Sequence, residues 1–243
     1  MRKTGSMITG RGIAITLSLF VLLIFTAFPF AWMVTTAFKS SSEIFVYPPY
    51  FLPRDFTLDN LKNLFEQTRF LTYFKNSVFV SSMAVLLTLV IATPGAYALT
   101  RLRFSGRETL ATVVLFTYMF SPIMIIIPFY VLIRYFGLVN THLALILAYT
   151  AFCLPFSLWM LRTYFQSIPL DLEEAALTDG ADRLRAVFYV VLPMALPGII
   201  ATATFCFILA WNDSIFVPIL ISSAQLKNVS VGIAVPFYLR DIS

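Results

Sequence analysis

Ile168-Pro169-Leu170-Asp171-Leu172-Glu173-Glu174-Ala175-Ala176-Leu177-Thr178-Asp179-Gly180 is a polar, amphipathic stretch lodged between two long uncharged runs, and Val190-Val191-Leu192-Pro193 follows it. Its order is that of a short helix, with proline in the first turn, carboxylates near the positive end of the dipole and a glycine to stop it. Leu172, Ala175 and Ala176 share a face at three- and four-residue spacing, flanked by Glu174 and Asp179. The small alanines let another surface approach closely. A rigid helix tied covalently to a span on either side has the makings of a lever. An amphipathic connector resting on lipid headgroups would explain Leu172 and Leu177, but not the spacing that joins Glu174, Gly180, Leu192 and Pro193.

The surrounding chain is membrane protein. Of 243 residues, 59% are hydrophobic and 12% charged, and mean hydropathy is +0.86, which excludes a water-soluble domain. With His142 taken as neutral, nothing ionised lies between Arg11 and Lys39, Lys75 and Arg101, Glu108 and Arg134, Arg134 and Arg162, or Arg185 and Asp213. Each interval exceeds the ~20 apolar residues that span a bilayer as helix. The expectation is an all-α integral membrane protein, one transmembrane domain over 1–243, with spans near 13–37, 76–100, 110–133, 143–161 and 194–221 and a polar loop over 162–193. Continuous apolar runs of this length exclude an outer-membrane barrel, whose strands alternate over ~10 residues.

The net charge of +5 follows topology and needs no nucleic-acid partner. Arg2, Lys3 and Arg11 precede the first span, Arg101, Arg103 and Arg107 crowd the second turn, and Arg162, Arg183 and Arg185 bracket the polar loop. By the positive-inside rule the N-terminus is expected in the cytoplasm. Lys39 to Lys75 spreads five basic residues among four acids, constrains orientation weakly, and can lie outside. Within it Thr57 can cap a helix carrying Leu58, Leu61, Leu64 and Phe65 on one face. The first span is too long for a signal-peptide core and is read as retained.

Pro94, Pro122, Pro128 and Pro155 predict bent helices. Cys153 and Cys206 fall in apolar runs as small buried hydrophobes, giving neither a disulfide framework nor a metal spacing. Asn212 and Asp213 stand in the outer part of the fifth span. Asp213 is its only ionised side chain, expected ~25 Å or more from the inner end, either hydrated at the interface or, as an intramembrane acid, facing a translocation path. A secondary transporter or channel would need ion-coupling or filter chemistry, for which only Asp213 is available. An intramembrane enzyme would need a catalytic cluster, and the chain has one histidine, in a turn. No phosphate-cradling Gly-rich loop ending in Lys-Ser/Thr is present, so ATP must be hydrolysed elsewhere.

The pattern Glu174-Ala175-Ala176, Gly180, Val190, Leu192-Pro193 resembles the coupling loop of the membrane subunits of ATP-binding cassette (ABC) importers, with Val190 where the family usually has isoleucine. The resemblance extends to Phe38-Lys39, Glu43-Ile44-Phe45, Thr57-Leu58-Asp59-Asn60, Ala96 to Arg101, Phe104-Ser105-Gly106-Arg107, Pro128 to Gly137, Thr141-His142, Leu154-Pro155-Phe156 and Trp211-Asn212-Asp213. It is closest to the maltose-type, sugar-importing branch. That resemblance implies a type I importer fold of six helices in a prokaryotic cytoplasmic membrane, so a sixth helix is expected beyond the five spans. It also implies a homologous second permease subunit, two ATPase subunits carrying ATP and Mg, and an extracytoplasmic sugar-binding protein. No cofactor is expected on this chain. Asp171, Leu172, Glu174, Ala175, Ala176, Asp179, Gly180, Leu192 and Pro193 would couple to the ATPase.

Overall fold

A computed structural model describes residues 10–233, and every regular element among them is helical. Arg2 and Lys3, and residues 234–239 of the last apolar stretch, lie outside the described residues. The chain divides into two compact units, one reaching Thr68 and one starting at Arg69.

In the first unit, α1 (Gly10–Ala37) runs unbroken through Pro29. Its apolar side chains are exposed along its length, Phe25 at 79%. A helix apolar all round, with Phe28 and Trp32 resting on Phe51 of the same unit, presents the rest of its surface to lipid or to another chain. The following segment folds back on the helix end. Lys39 is buried, donates to the Tyr50 carbonyl and sits 4.5 Å over the Trp32 ring. The Asn60 amide ties down the carbonyls of Ala37 and Lys39 at 3.2 and 2.7 Å, and Phe38 stacks on Phe56 at 4.8 Å. Glu43, in α2 (Ser41–Ile44), accepts the backbone N–H groups of Arg54 and Asp55. The helix expected here is α3 (Asp59–Glu66), and Thr57 Oγ1 accepts the Asp59 N–H at 3.0 Å.

The second unit is built on α4 (Phe70–Arg101) packed against α7 (His142–Ser167), with α10 (Leu192–Trp211) lying on both. Without water between apolar helices, close approach is what holds them, and the sequence supplies small residues at helical spacing. These are Ser77, Ser81, Ala84, Thr88, Ala92 and Ala96 on α4, and Ala195, Gly198, Thr202, Cys206 and Ala210 on α10, all buried. Gly198 is obligatory, since a Cβ there would fall 2.3 Å from the Tyr164 ring. From α7 the fully buried Leu145, Tyr149, Leu161 and Phe165 fill the remaining volume. Cys153 and Cys206 are free and buried, with Ser157 Oγ 3.2 Å from Cys206 Sγ.

Among the described residues four helices are long and apolar enough to cross a membrane, over Ile15–Ala37, Phe70–Arg101, His142–Ser167 and Arg183–Trp211. The third expected span, 110–133, is a correction: it is two helices, α5 (Arg107–Thr117) and α6 (Pro122–Tyr135), bent by 96°. Counted as one broken span, the pair would bring the number of crossings to five. Ser121, forced extended by the proline after it (φ −63, ψ 135), starts a new helix with Pro122 in its first turn. Pro94, Pro128 and Pro155 stay inside their helices. The fifth expected span, 194–221, also changes. Helix begins at α9 (Arg183–Ala186), passes through a π turn (Val187–Val191) into α10 and ends at Trp211, and a separate α11 (Phe216–Leu220) follows.

Candidate functional site

The short helix of the polar loop is α8 (Leu170–Thr178). Pro169 does not enter its first turn as expected. It stands one residue before, at the N-cap, because its own backbone is extended (φ −55, ψ 135), and Ile168 before it is extended too (ψ 122), as a residue preceding proline is. The C-terminus closes with Gly180 at φ +88, Ala181 N–H to Ala176 O at 3.0 Å and Gly180 N–H to Leu177 O at 3.1 Å. This pair of bonds is a Schellman stop, which a left-handed residue makes possible.

Asp171, Leu172, Glu174, Ala175, Asp179 and Gly180 are exposed and Ala176 is half-buried. The face expected from their spacing is therefore open, with Leu172 40% accessible. Leu192 is half-buried against Val191, Ala195 and their neighbours, and Pro193 sits in the first turn of α10. They belong to a long helix, not to a loop ending at 193. Leu192 N–H reaches back five residues to Val187 O. Pro193 explains this: with no N–H it cannot bond Tyr189 O, and its ring needs the wider preceding turn. The Leu-Pro of the motif thus writes a π turn where α8 packs beside α9 and Val187–Val191.

Sequence reasoning missed Glu173, the one buried residue of α8. Its carboxylate accepts from the Tyr97 hydroxyl and lies 3.2 Å from Arg101 Nε, with the two charged side chains 5% and 9% accessible. That Arg101 contact is an ion pair outside hydrogen-bond geometry; the directed bond from Arg101 goes from Nη2 to Ile168 O at 2.8 Å. The available signal was the i, i+4 spacing of Tyr97 and Arg101 on the last turns of α4. Nearby, the buried Arg162 of α7 reaches Glu108 of α5 at 2.5 Å, and Arg107 pairs with the same carboxylate at 3.1 Å.

At the other end of α10 the structure separates Asn212 from Asp213. Asn212 is exposed, whereas Asp213 is 9% accessible. Asp213 accepts Tyr149 O–H at 2.9 Å and the backbone N–H groups of Ile215, Phe216 and Val217 at 3.1–3.2 Å. These orphan donors open α11, so the carboxylate works as a cap. Tyr149 stands seven residues into α7, roughly 10 Å from its start, which replaces the hydrated interfacial position expected for Asp213 with a buried one. Further strapping comes from Asn140 (φ +62), whose Oδ1 accepts from Ser222 and Ser223 N–H at 3.1 and 2.9 Å. Val229 of α12 (Val229–Gly232) donates to Ser77 Oγ at 2.9 Å.

A cavity of about 650 Å³ opens where the α5–α6 break meets the α10–α11 break, lined by Tyr118, Phe120, Phe129, Phe152, Asn212 and Ser214 among others. Measured along α5, and along α7 to Phe152, it lies roughly 15 Å from the helix ends, which would be half the depth of a ~30 Å hydrocarbon core if those ends stood at its faces. Unpaired backbone inside a membrane is tolerated only inside protein or beside a wet cavity, and both breaks border this cavity.

The family of binding-protein-dependent transport system inner membrane components matches residues 84–234. An inner membrane ABC transporter permease protein of Escherichia coli (strain K12), YcjP, is 38% identical over 223 residues, 91% of this chain and 80% of the relative. The trehalose/maltose transport system permease protein MalG of Thermococcus litoralis is 35% identical over 216 residues, 88% and 77% of the two chains. A diacetylchitobiose uptake system permease protein of Streptomyces coelicolor, DasC, is 36% identical over 209 residues, 86% and 76%. In fold, a bacterial ABC transporter involved in import of the acidic polysaccharide alginate superposes with a TM-score of 0.81 at 24% identity, over 100% of this chain and 85% of that one.

Proposed function

We propose the following function for a chain that belongs to the family of binding-protein-dependent transport system inner membrane components: it passes a sugar across the cytoplasmic membrane by alternating access, driven by partner ATPases that grip α8. The sugar class rests on relatives named for trehalose/maltose and diacetylchitobiose. The partners would be a homologous second permease subunit, two ATPase subunits carrying ATP and Mg, and an extracytoplasmic sugar-binding protein.

The observation that carries this reading is α8 itself, a capped helix with a small, open face, held between α7 and α10. Asp171, Leu172, Glu174, Ala175, Ala176, Asp179 and Gly180 form the surface a groove on the ATPase would take, and Leu192-Pro193 fix the helix behind it. The mid-depth cavity supplies the stretch of path belonging to this subunit, with Asn212 and Ser214 to meet hydroxyls and Tyr118, Phe120 and Phe152 to stack on sugar faces. Arg-rich turns on the α8 side support a cytoplasmic N-terminus.

Purification of the complex, with ATP hydrolysis assayed against a panel of sugars and their binding protein, tests the reading. Stimulation by one sugar class, lost in Ala175→Trp with the subunit still inserted, is the expected result. Absence of stimulation by any sugar would reject the substrate class, and normal ATPase association in Ala175→Trp would reject α8 as the grip.

A further inference from the structure

We propose that Glu173 is a positioning residue through which movement of α8 is delivered directly to α4. The inference rests on the reading of α8 as the element the ATPase grips. Covalently, α8 continues only into α7 and, through α9, into α10. A pull on it would reach those two helices first, yet α4 forms the largest packed interface of the unit, with α7.

The connection to α4 is chemical. Glu173 turns away from the open face, accepts from Tyr97 and pairs with Arg101 at 3.2 Å, while Arg101 also holds Ile168 O at 2.8 Å. The last turns of α4, the end of α7 and the first turn of α8 thus share one guanidinium. Both charged side chains are at most 9% accessible, so water screens them little, and loss of either partner leaves a buried charge uncompensated. Such a joint is stiff: α8 cannot shift along or rotate about its axis without carrying Arg101 or breaking the pair. An exposed carboxylate such as Glu174 could not do this.

The test is the ratio of solute taken up to ATP hydrolysed by the reconstituted complex carrying Glu173→Gln, Arg101→Gln or the swap Glu173→Arg with Arg101→Glu. The expected result is normal copurification of the ATPase with Glu173→Gln, sugar-stimulated hydrolysis retained, and uptake per ATP lowered about tenfold, the size of a typical coupling between sites. The swap should recover part of that loss, as neighbouring residues in one network do in a double-mutant cycle. A wild-type ratio in both single variants, or a swap no better than either, overturns the proposal. Loss of ATPase copurification in Glu173→Gln also overturns it, since Glu173 would then belong to the docking surface. Failure of the docking reading shows instead in Ala175→Trp, which leaves the Glu173 joint untouched.

Discussion

Tyr149 donates its hydroxyl to Asp213 across 2.9 Å, joining α7 to the carboxylate that caps α11. The bond ties the mid-depth break after α10 to the central helix of the unit. A hydrogen bond to a charged group contributes about 1.5–3 kcal/mol, so Tyr149→Phe should lower the thermal stability of the detergent-solubilised complex while leaving the fold in place. Asp213→Leu should be worse, because it also orphans backbone N–H groups at about 1–3 kcal/mol each. Equal melting temperatures for Tyr149→Phe and the parent would show that the bond contributes nothing.

Gly180 separates conformation from space. Its φ is +88, and beyond Gly180 itself and its two chain neighbours no atom lies within 4 Å of the point where a Cβ would stand. A side chain there meets no clash and is opposed only by backbone strain of about 1–2 kcal/mol. Asparagine tolerates the left-handed region and valine does not. Gly180→Asn should therefore retain ATPase binding and uptake near the parental level, and Gly180→Val should lose both. Identical uptake in the two variants would remove the Schellman stop from the mechanism.

Gly198 is the reverse case, helical in backbone and closed in space. A Cβ at 2.3 Å from the Tyr164 ring must push α10 off α7, and overpacking of this kind costs about 1–3 kcal/mol. Gly198→Val should reduce the amount of folded subunit recovered from membranes, and Tyr164→Ala in the same chain should restore it. No restoration would place the defect elsewhere.

Apolar runs announced where helices cross but not where they end. Phe70 to Lys75 and Arg162 to Ser167 carry polar residues that still continue α4 and α7, because a helix outlasts the hydrocarbon and local propensity does not mark the boundary. Prolines were equally legible and unequally consequential. Pro94 and Pro155 sit inside helices packed on each other, whereas Pro122 follows an extended Ser121 and opens a new axis. The α8 surface was readable because its spacing is local. Glu173 was not, since its partners Tyr97 and Arg101 lie on another helix, and nothing within α8 tells a buried glutamate from the exposed one beside it.

Orientation is open to direct measurement. With the Arg-rich turns inside, an impermeant thiol reagent added to intact cells should modify a cysteine placed at Asp59 and spare one placed at Arg103, both in a background lacking Cys153 and Cys206. Asp59 starts the exposed α3 and Arg103 lies in the α4–α5 turn, so both sites are accessible once the reagent is on their side. Labelling at 103 without labelling at 59 would invert the topology.

Asn212 and Asp213 both line the cavity, but Asn212 is exposed and Asp213 is buried in a hydrogen-bond network, and that contrast predicts opposite phenotypes. Asn212 is exposed on the wall of the mid-depth cavity, and its amide N–H reaches only back to Ile208 O at 2.9 Å. Asn212→Ala should therefore assemble normally and change transport, through weaker uptake or an altered preference among sugars. Asp213→Leu should instead lower the amount of complex assembled, because the carboxylate holds Tyr149 and the start of α11. Subunit recovery and uptake per assembled complex, measured side by side, separate the two. Normal uptake of every sugar tested in Asn212→Ala would take the cavity wall out of the path. Full assembly of Asp213→Leu with transport abolished would move Asp213 from the scaffold into the path itself.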